Sequence, residues 1–102
     1  AAERLYRDGL AITEQWYGPD HHKTAGNLTM LGRTLARVDK RAEAAAVLQR
    51  ALAGRERALG PHHPGVASVL NELGTIARFE KRFDEAEACY QRMADIYREV
   101  HK

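Results

Sequence analysis

At 102 residues, with 44% hydrophobic and 29% charged residues, the chain has the composition of a folded globular unit and not of a disordered segment. Its 16 basic and 14 acidic residues are interleaved and leave a net charge of +2, so bulk charge does not single out nucleic acid as a partner. No apolar run approaches the roughly 20 residues of a membrane span, and no signal-peptide layout is present, so the chain reads as soluble with no membrane contact, and its lone cysteine, Cys89, fits a cytoplasmic compartment.

In chain order, apolar residues at spacings of three and four predict helices over 2–16, 22–37, 40–57, 64–79 and 82–100, with no strand-like alternation. The fold class is all-α. After the first helix comes the turn Gly18-Pro19-Asp20-His21-His22, and after the third comes Gly60-Pro61-His62-His63-Pro64. Each sets Gly where a helix stops and Pro just beyond it, and Pro64 suits the first turn of the helix it opens. Shorter turns are expected at Val38-Asp39-Lys40 and Glu80-Lys81-Arg82, with Asp39 as the cap of the third helix.

The segment 18–59 is echoed in register by 60–102, a period of 42 residues. Gly18/Gly60, Pro19/Pro61 and His21/His63 coincide, as do Leu28/Leu70, Leu31/Leu73 and Gly32/Gly74, then Glu43/Glu85, Ala44/Ala86, Gln49/Gln91 and Arg50/Arg92. Self-similarity at such a period marks a helical-repeat array. Ala2 and Tyr6 match Ala44 and Leu48, so 1–17 reads as the second helix of a truncated repeat, followed by complete repeats at 18–59 and 60–102. Gly32 and Gly74, facing Ala44 and Ala86, let paired antiparallel helices approach, while Leu48 and Tyr90 fill the space one turn later. The lone Cys89 falls on the station of Val47 and reads as a reduced core residue.

Leu28-x-x-Leu31-Gly32-x-x-Leu35 followed by Ala44-x-x-x-Leu48, and its second copy Leu70-x-x-Leu73-Gly74-x-x-Ala77 with Ala86-x-x-x-Tyr90, resemble the tetratricopeptide repeat. The 42-residue period exceeds the usual 34, and with the Ala-Leu-Gly-Pro-x-His segment at 58–63 it looks like the long-repeat branch typified by kinesin light chains. Leu stands at the first large position, and Thr29-Met30 and Asn71-Glu72 stand where kinesin light chains carry paired asparagines. The resemblance implies a right-handed α-solenoid of helix hairpins and a non-catalytic scaffold that binds a partner protein.

In such arrays the first helix of each repeat lines a concave groove. Carrying the groove stations over gives Gly26, Thr29, Met30, Arg33, Ala36 and Arg37 from one repeat. The next supplies Ser68, Asn71, Glu72, Thr75, Arg78 and Phe79. Arg33 and Arg37, four apart, share a helix face. Arginine accounts for 12 of the 16 basic residues, and its forked donors suit carboxylates. The expected ligand is a short acidic peptide or a chain-terminal carboxylate, with Asn71 as amide partner and Met30 and Phe79 as apolar contacts. The competing reading of these arginines is an ordinary solvated face, and Glu72 tempers their field.

The pairs His21/His22 and His62/His63 recur at equivalent turns, which suits capping better than metal binding; no metal and no cofactor is expected. There is no P-loop, no dinucleotide glycine fingerprint, no zincin motif and no nucleophile elbow, so the chain does not read as an enzyme. Glu85 and Glu87, two apart on a helix, diverge and do not form an acid-base pair. Tyr6 and Tyr90 sit at a core station and not as base-stacking platforms. At the ends, Leu5, Leu10 and Ile12 on the first helix and Ile96, Tyr97 and Val100 on the last are expected to include uncovered apolar surface, partly shielded by Trp16 and Tyr17, which predicts self-association. Two other readings stay open: a regulatory repeat segment of a larger signalling enzyme, and an RNA-binding helical repeat, which would need a continuous basic stripe beyond Arg33, Arg37 and Arg78.

Overall fold

The computed structural model describes residues 2–18 and 21–100; Pro19 and Asp20, assigned above to a turn, and the side chain of His22 lie outside what is described. The described residues form five helices and no strand: α1 (Ala2–Tyr17), α2 (His22–Arg37), α3 (Arg41–Leu59), α4 (Pro64–Phe79) and α5 (Phe83–Val100). Each packs mainly on its neighbours in sequence, so the chain builds up as a row of antiparallel hairpins in a slab of 36 × 30 × 16 Å. None of these helices is long and apolar enough to cross a membrane.

The periodic leucines dictate the core. Leu28, Leu31 and Leu35 of α2, Ala44, Leu48 and Ala51 of α3, and Val69, Leu73 and Ile76 of α4 form one buried cluster, with Tyr6 and Leu10 of α1 packed against it. Burying each large aliphatic side chain here contributes about 1.5–3 kcal/mol. A smaller cluster joins Val66, Ala67 and Leu70 of α4 to Ile96 of α5, and Cys89 is half-buried against both. Ile96, expected among the uncovered residues, is therefore core: it is the residue of α5 that clamps the start of α4. Close approach depends on the two predicted glycines. A Cβ at Gly32 would stand 2.5 Å from Leu48 Cγ, and one at Gly74 would stand 3.0 Å from Tyr90 Cε1.

Two kinds of turn alternate. Gly18 and Gly60 end α1 and α3 at φ of 86° and 87°, a left-handed geometry that glycine adopts at little cost. Beyond them, Nδ1 of His21 accepts from the Lys23 backbone N–H (3.1 Å) and Nδ1 of His63 from that of Gly65 (2.9 Å), so these histidines cap α2 and α4. Pro64 occupies the first turn of α4.

The other turns close α2 and α4 by a pair of crossed backbone bonds. Lys40 N–H reaches Leu35 O (2.9 Å) and Asp39 N–H reaches Ala36 O (3.3 Å); one period later Arg82 N–H reaches Ala77 O (2.8 Å) and Lys81 N–H reaches Arg78 O (3.0 Å). This is the Schellman pattern, and it drives Asp39 (φ 63°) and Lys81 (φ 62°) into the left-handed region. Asp39 is thus not the cap of α3, as its residue type suggested. That position belongs to Lys40, which makes no side-chain cap bond.

Ion pairs repeat with the fold. Arg50 of α3 reaches Glu14 of α1 (2.7 Å), and one period later Arg92 of α5 reaches Glu56 of α3 (3.0 Å), each spanning 36 residues. Both rungs tie α3 to another helix, to α1 through Glu14 and to α5 through Arg92.

Candidate groove between α2 and α4

The faces of α2 and α4 that meet beside the core enclose a cleft of 460 Å³ lined by Arg33, Ala36, Arg37, Glu72, Thr75, Ile76 and Phe79, closed at one end by Asp39 and Arg41. Arg33 and Arg37 reach it because they stand one turn apart on α2, and Glu72, Thr75 and Phe79 because they follow one face of α4. At its centre Arg33 Nε donates to Glu72 Oε1 at 2.8 Å, an ion pair across the two helices. Thr75 donates to the Asn71 carbonyl (2.9 Å), so the Tyr90 hydroxyl at 3.2 Å is left to donate to Thr75. Phe79 is 61% exposed at the rim, with the Arg41 guanidinium 5.2 Å and that of Arg78 5.8 Å from its ring centre. Cation–π contacts of this kind hold an aromatic edge open to solvent at about 0.5–1 kcal/mol each.

The remaining groove stations are placed differently. Met30 is exposed, and its sulfur lies 3.9 Å from Arg33 Nη1. Asn71 and Arg78 are exposed on α4. Thr29 is buried, its hydroxyl turned back on the Ala25 carbonyl at 2.8 Å, so it presents no side chain to the cleft. Ser68 is half-buried and donates to the Gly65 carbonyl at 3.0 Å.

Two groups that carry charge here escaped the sequence reading. Arg41, the first residue of α3, is carried to the cleft by the α2–α3 turn and is held by Asp39 at 3.2 Å. Arg55, from the last turns of α3, crosses to α4, where Nη1 donates to the Gly65 carbonyl (2.8 Å) and to Ser68 Oγ (3.0 Å). Burial, and after it the positive charge of Arg33, lowers the Arg55 pKa from the usual arginine range. The only hint in the sequence was negative: Arg55 falls on the stations of Thr13 and Tyr97, so nothing about it repeats.

No group of three or more His, Cys, Asp or Glu side chains among the described residues is placed to hold a metal ion. His62 lies 3.4 Å from Glu99, away from His63 and its capping bond. Burial first, and Glu85 second, raise the Cys89 thiol pKa, as befits a packed residue and not a nucleophile.

A stretch of 61 residues is 41% identical to nephrocystin-3 of Xenopus laevis and, over the same length and at the same identity, to that of Xenopus tropicalis. That stretch is 60% of this chain and only 5% of either relative. Residues 1–57 and 31–99 both match the tetratricopeptide repeat family. With its hairpin row, its glycine contacts at Leu48 and Tyr90 and these matches across the chain, the protein belongs to the tetratricopeptide repeat family.

Proposed function

We propose that this protein binds an acidic peptide segment of a partner protein in the cleft between α2 and α4. The coarser part follows from the family: tetratricopeptide repeats are protein–protein interaction scaffolds and typically have no catalytic role. The finer part rests on one observation above all, that Arg33, Arg37 and Arg41 line a cleft whose apolar contacts are the buried Ile76 and, at the rim, Phe79. Arginine forks pair with carboxylates by charge-assisted bonds, while the exposed ring offers contact to a neighbouring apolar side chain. Glu72 occupies part of Arg33, which leaves Arg37 as the cleft cation with no carboxylate contact among the described residues and favours selectivity at the Phe79 end. The same ion pair interrupts the basic stripe that an RNA-binding repeat would need.

The long second helices α3 and α5, of 19 and 18 residues against 16 for α2 and α4, favour repeat units at 18–59 and 60–102 of the kinesin light chain-like type. With its one thiol half-buried and reduced, the module fits a cytoplasmic setting. We also propose self-association through α1, where Leu5 and Ile12 are exposed.

The direct test is an array of end-capped peptides with and without aspartates, followed by titration of the best binder. The double reversal Arg33→Glu with Arg37→Glu is expected to abolish binding with the melting temperature unchanged within a few degrees. Retained affinity in that variant would refute the reading.

A further inference from the structure

Half-buried arginines in this fold come with carboxylates. Arg33 holds Glu72, Arg41 holds Asp39 and Arg92 holds Glu56. Arg55, equally half-buried, has no carboxylate within ion-pair reach among the described residues. Its Nη1 makes both of its hydrogen bonds, and a guanidinium carries five N–H groups of which Nη1 owns two. The N–H groups on Nε and Nη2 have no acceptor among the described residues. The charge that bears on it is that of Arg33, of the same sign. Removing a cation from water beside another cation is unfavourable, and an anion bound at that point offsets both the lost hydration and the repulsion.

We propose that Arg55, held over Ser68 at the start of α4, forms a second carboxylate-binding point beyond the cleft, and that the bound peptide therefore carries two acidic residues at a set spacing. The proposal rests on the acidic-peptide reading above. The spacing follows from α4, which serves both points. Ser68 lies seven residues before Thr75 and eleven before Phe79, or about 10–16 Å at ~1.5 Å per residue. An extended peptide advances ~3.3 Å per residue, so its carboxylates are required about three to five residues apart. One engages Arg37 at the Phe79 end, and the other takes the unused fork of Arg55, a geometry that lysine cannot reproduce.

The test uses the whole chain and fluorescein-labelled, C-amidated Gly-Ser peptides carrying either one aspartate or two, set three, four or five residues apart, read by fluorescence anisotropy. Arg55→Gln is expected to weaken the two-aspartate peptide about tenfold, down to the affinity of the one-aspartate peptide, with Arg55→Lys in between. Should Arg55→Gln fail to fold, Ser68→Asp leaves Arg55 in place but supplies it with an internal carboxylate, and the same loss is expected. Unchanged affinity in these variants, with binding still abolished by Arg33→Glu plus Arg37→Glu, overturns the Arg55 point and leaves the groove reading standing. A wild-type chain that binds none of the acidic peptides overturns both.

Discussion

Gly32 and Gly74 occupy the same station and look equivalent in sequence, but their surroundings differ. Leu48 leaves 2.5 Å for a Cβ at Gly32, whereas the Tyr90 ring leaves 3.0 Å at Gly74. Alanine in a helix gains up to about 1 kcal/mol over glycine from propensity, and overpacking a closed contact costs about 1–3 kcal/mol. Gly32→Ala is therefore expected to destabilise by about 1–2 kcal/mol, because Leu48 is fully buried and has nowhere to move. Gly74→Ala is expected to stay within about 1 kcal/mol of neutral, since a ring edge can shift by a few tenths of an ångström. Urea unfolding of the two variants side by side reads the difference, and an equal loss in both would show that the helices separate freely. At this scale the motif was legible to the residue, because a small side chain at a fixed place in a periodic pattern has few uses besides close packing. The position of Thr29 was not legible: a threonine at a groove station can turn its hydroxyl to the preceding turn and vanish into the core, as it does onto Ala25.

Among elements, helices were read from periodicity to within a few residues, and the turns were read half correctly. Where glycine stood at a helix end, chemistry and geometry agreed. Where the chain needed a left-handed residue without glycine, at Asp39 and Lys81, residue type gave no sign of it, and at Asp39 it misled, since aspartate is also a common N-cap. Those two positions carry backbone strain that glycine would remove. A left-handed non-glycine residue costs roughly 1–2 kcal/mol, and the extra freedom of glycine in the unfolded chain returns about half of that. Lys81→Gly should therefore raise the unfolding free energy by about 0.5–1 kcal/mol, seen as a higher urea midpoint with the same slope. A lower midpoint would mean that the Lys81 side chain contributes more than its backbone costs. The rungs Glu14–Arg50 and Glu56–Arg92 are exposed enough that each contributes at most about 1 kcal/mol, so they set the alignment of α1, α3 and α5 more than their stability.

For the whole molecule, stability is a sum of neighbour interfaces, and α1 and α5 carry large apolar side chains that these interfaces leave exposed. Trp16 is 76% exposed and Leu5 70%, so the tryptophan that was expected to shield α1 adds to its open surface. Tyr17 does not close the gap either: it stacks on His21, 4.7 Å between ring centres, at the turn. Tyr97 and Val100 are also exposed, on α5. Concentration-dependent association is expected in sedimentation at high protein concentration, and Leu5→Ser with Trp16→Ser should shift the chain to monomer without loss of helix content. A wild-type profile that stays monomeric would remove α1 as an association surface.

The sequence alone determined the helical class, the 42-residue period, the packing stations and the family resemblance, because these are periodic properties, and periodicity is written locally in one dimension. The α2 and α4 side of the groove followed from the same register. Only the tertiary structure decided which charges cancel and which remain. Arg33 meets Glu72 across 39 residues, Arg41 is brought to the cleft by a turn, and Arg55 is left half-buried with no carboxylate among the described residues. Pairing between charges depends on distances across helices, and that information arises only when the helices stack.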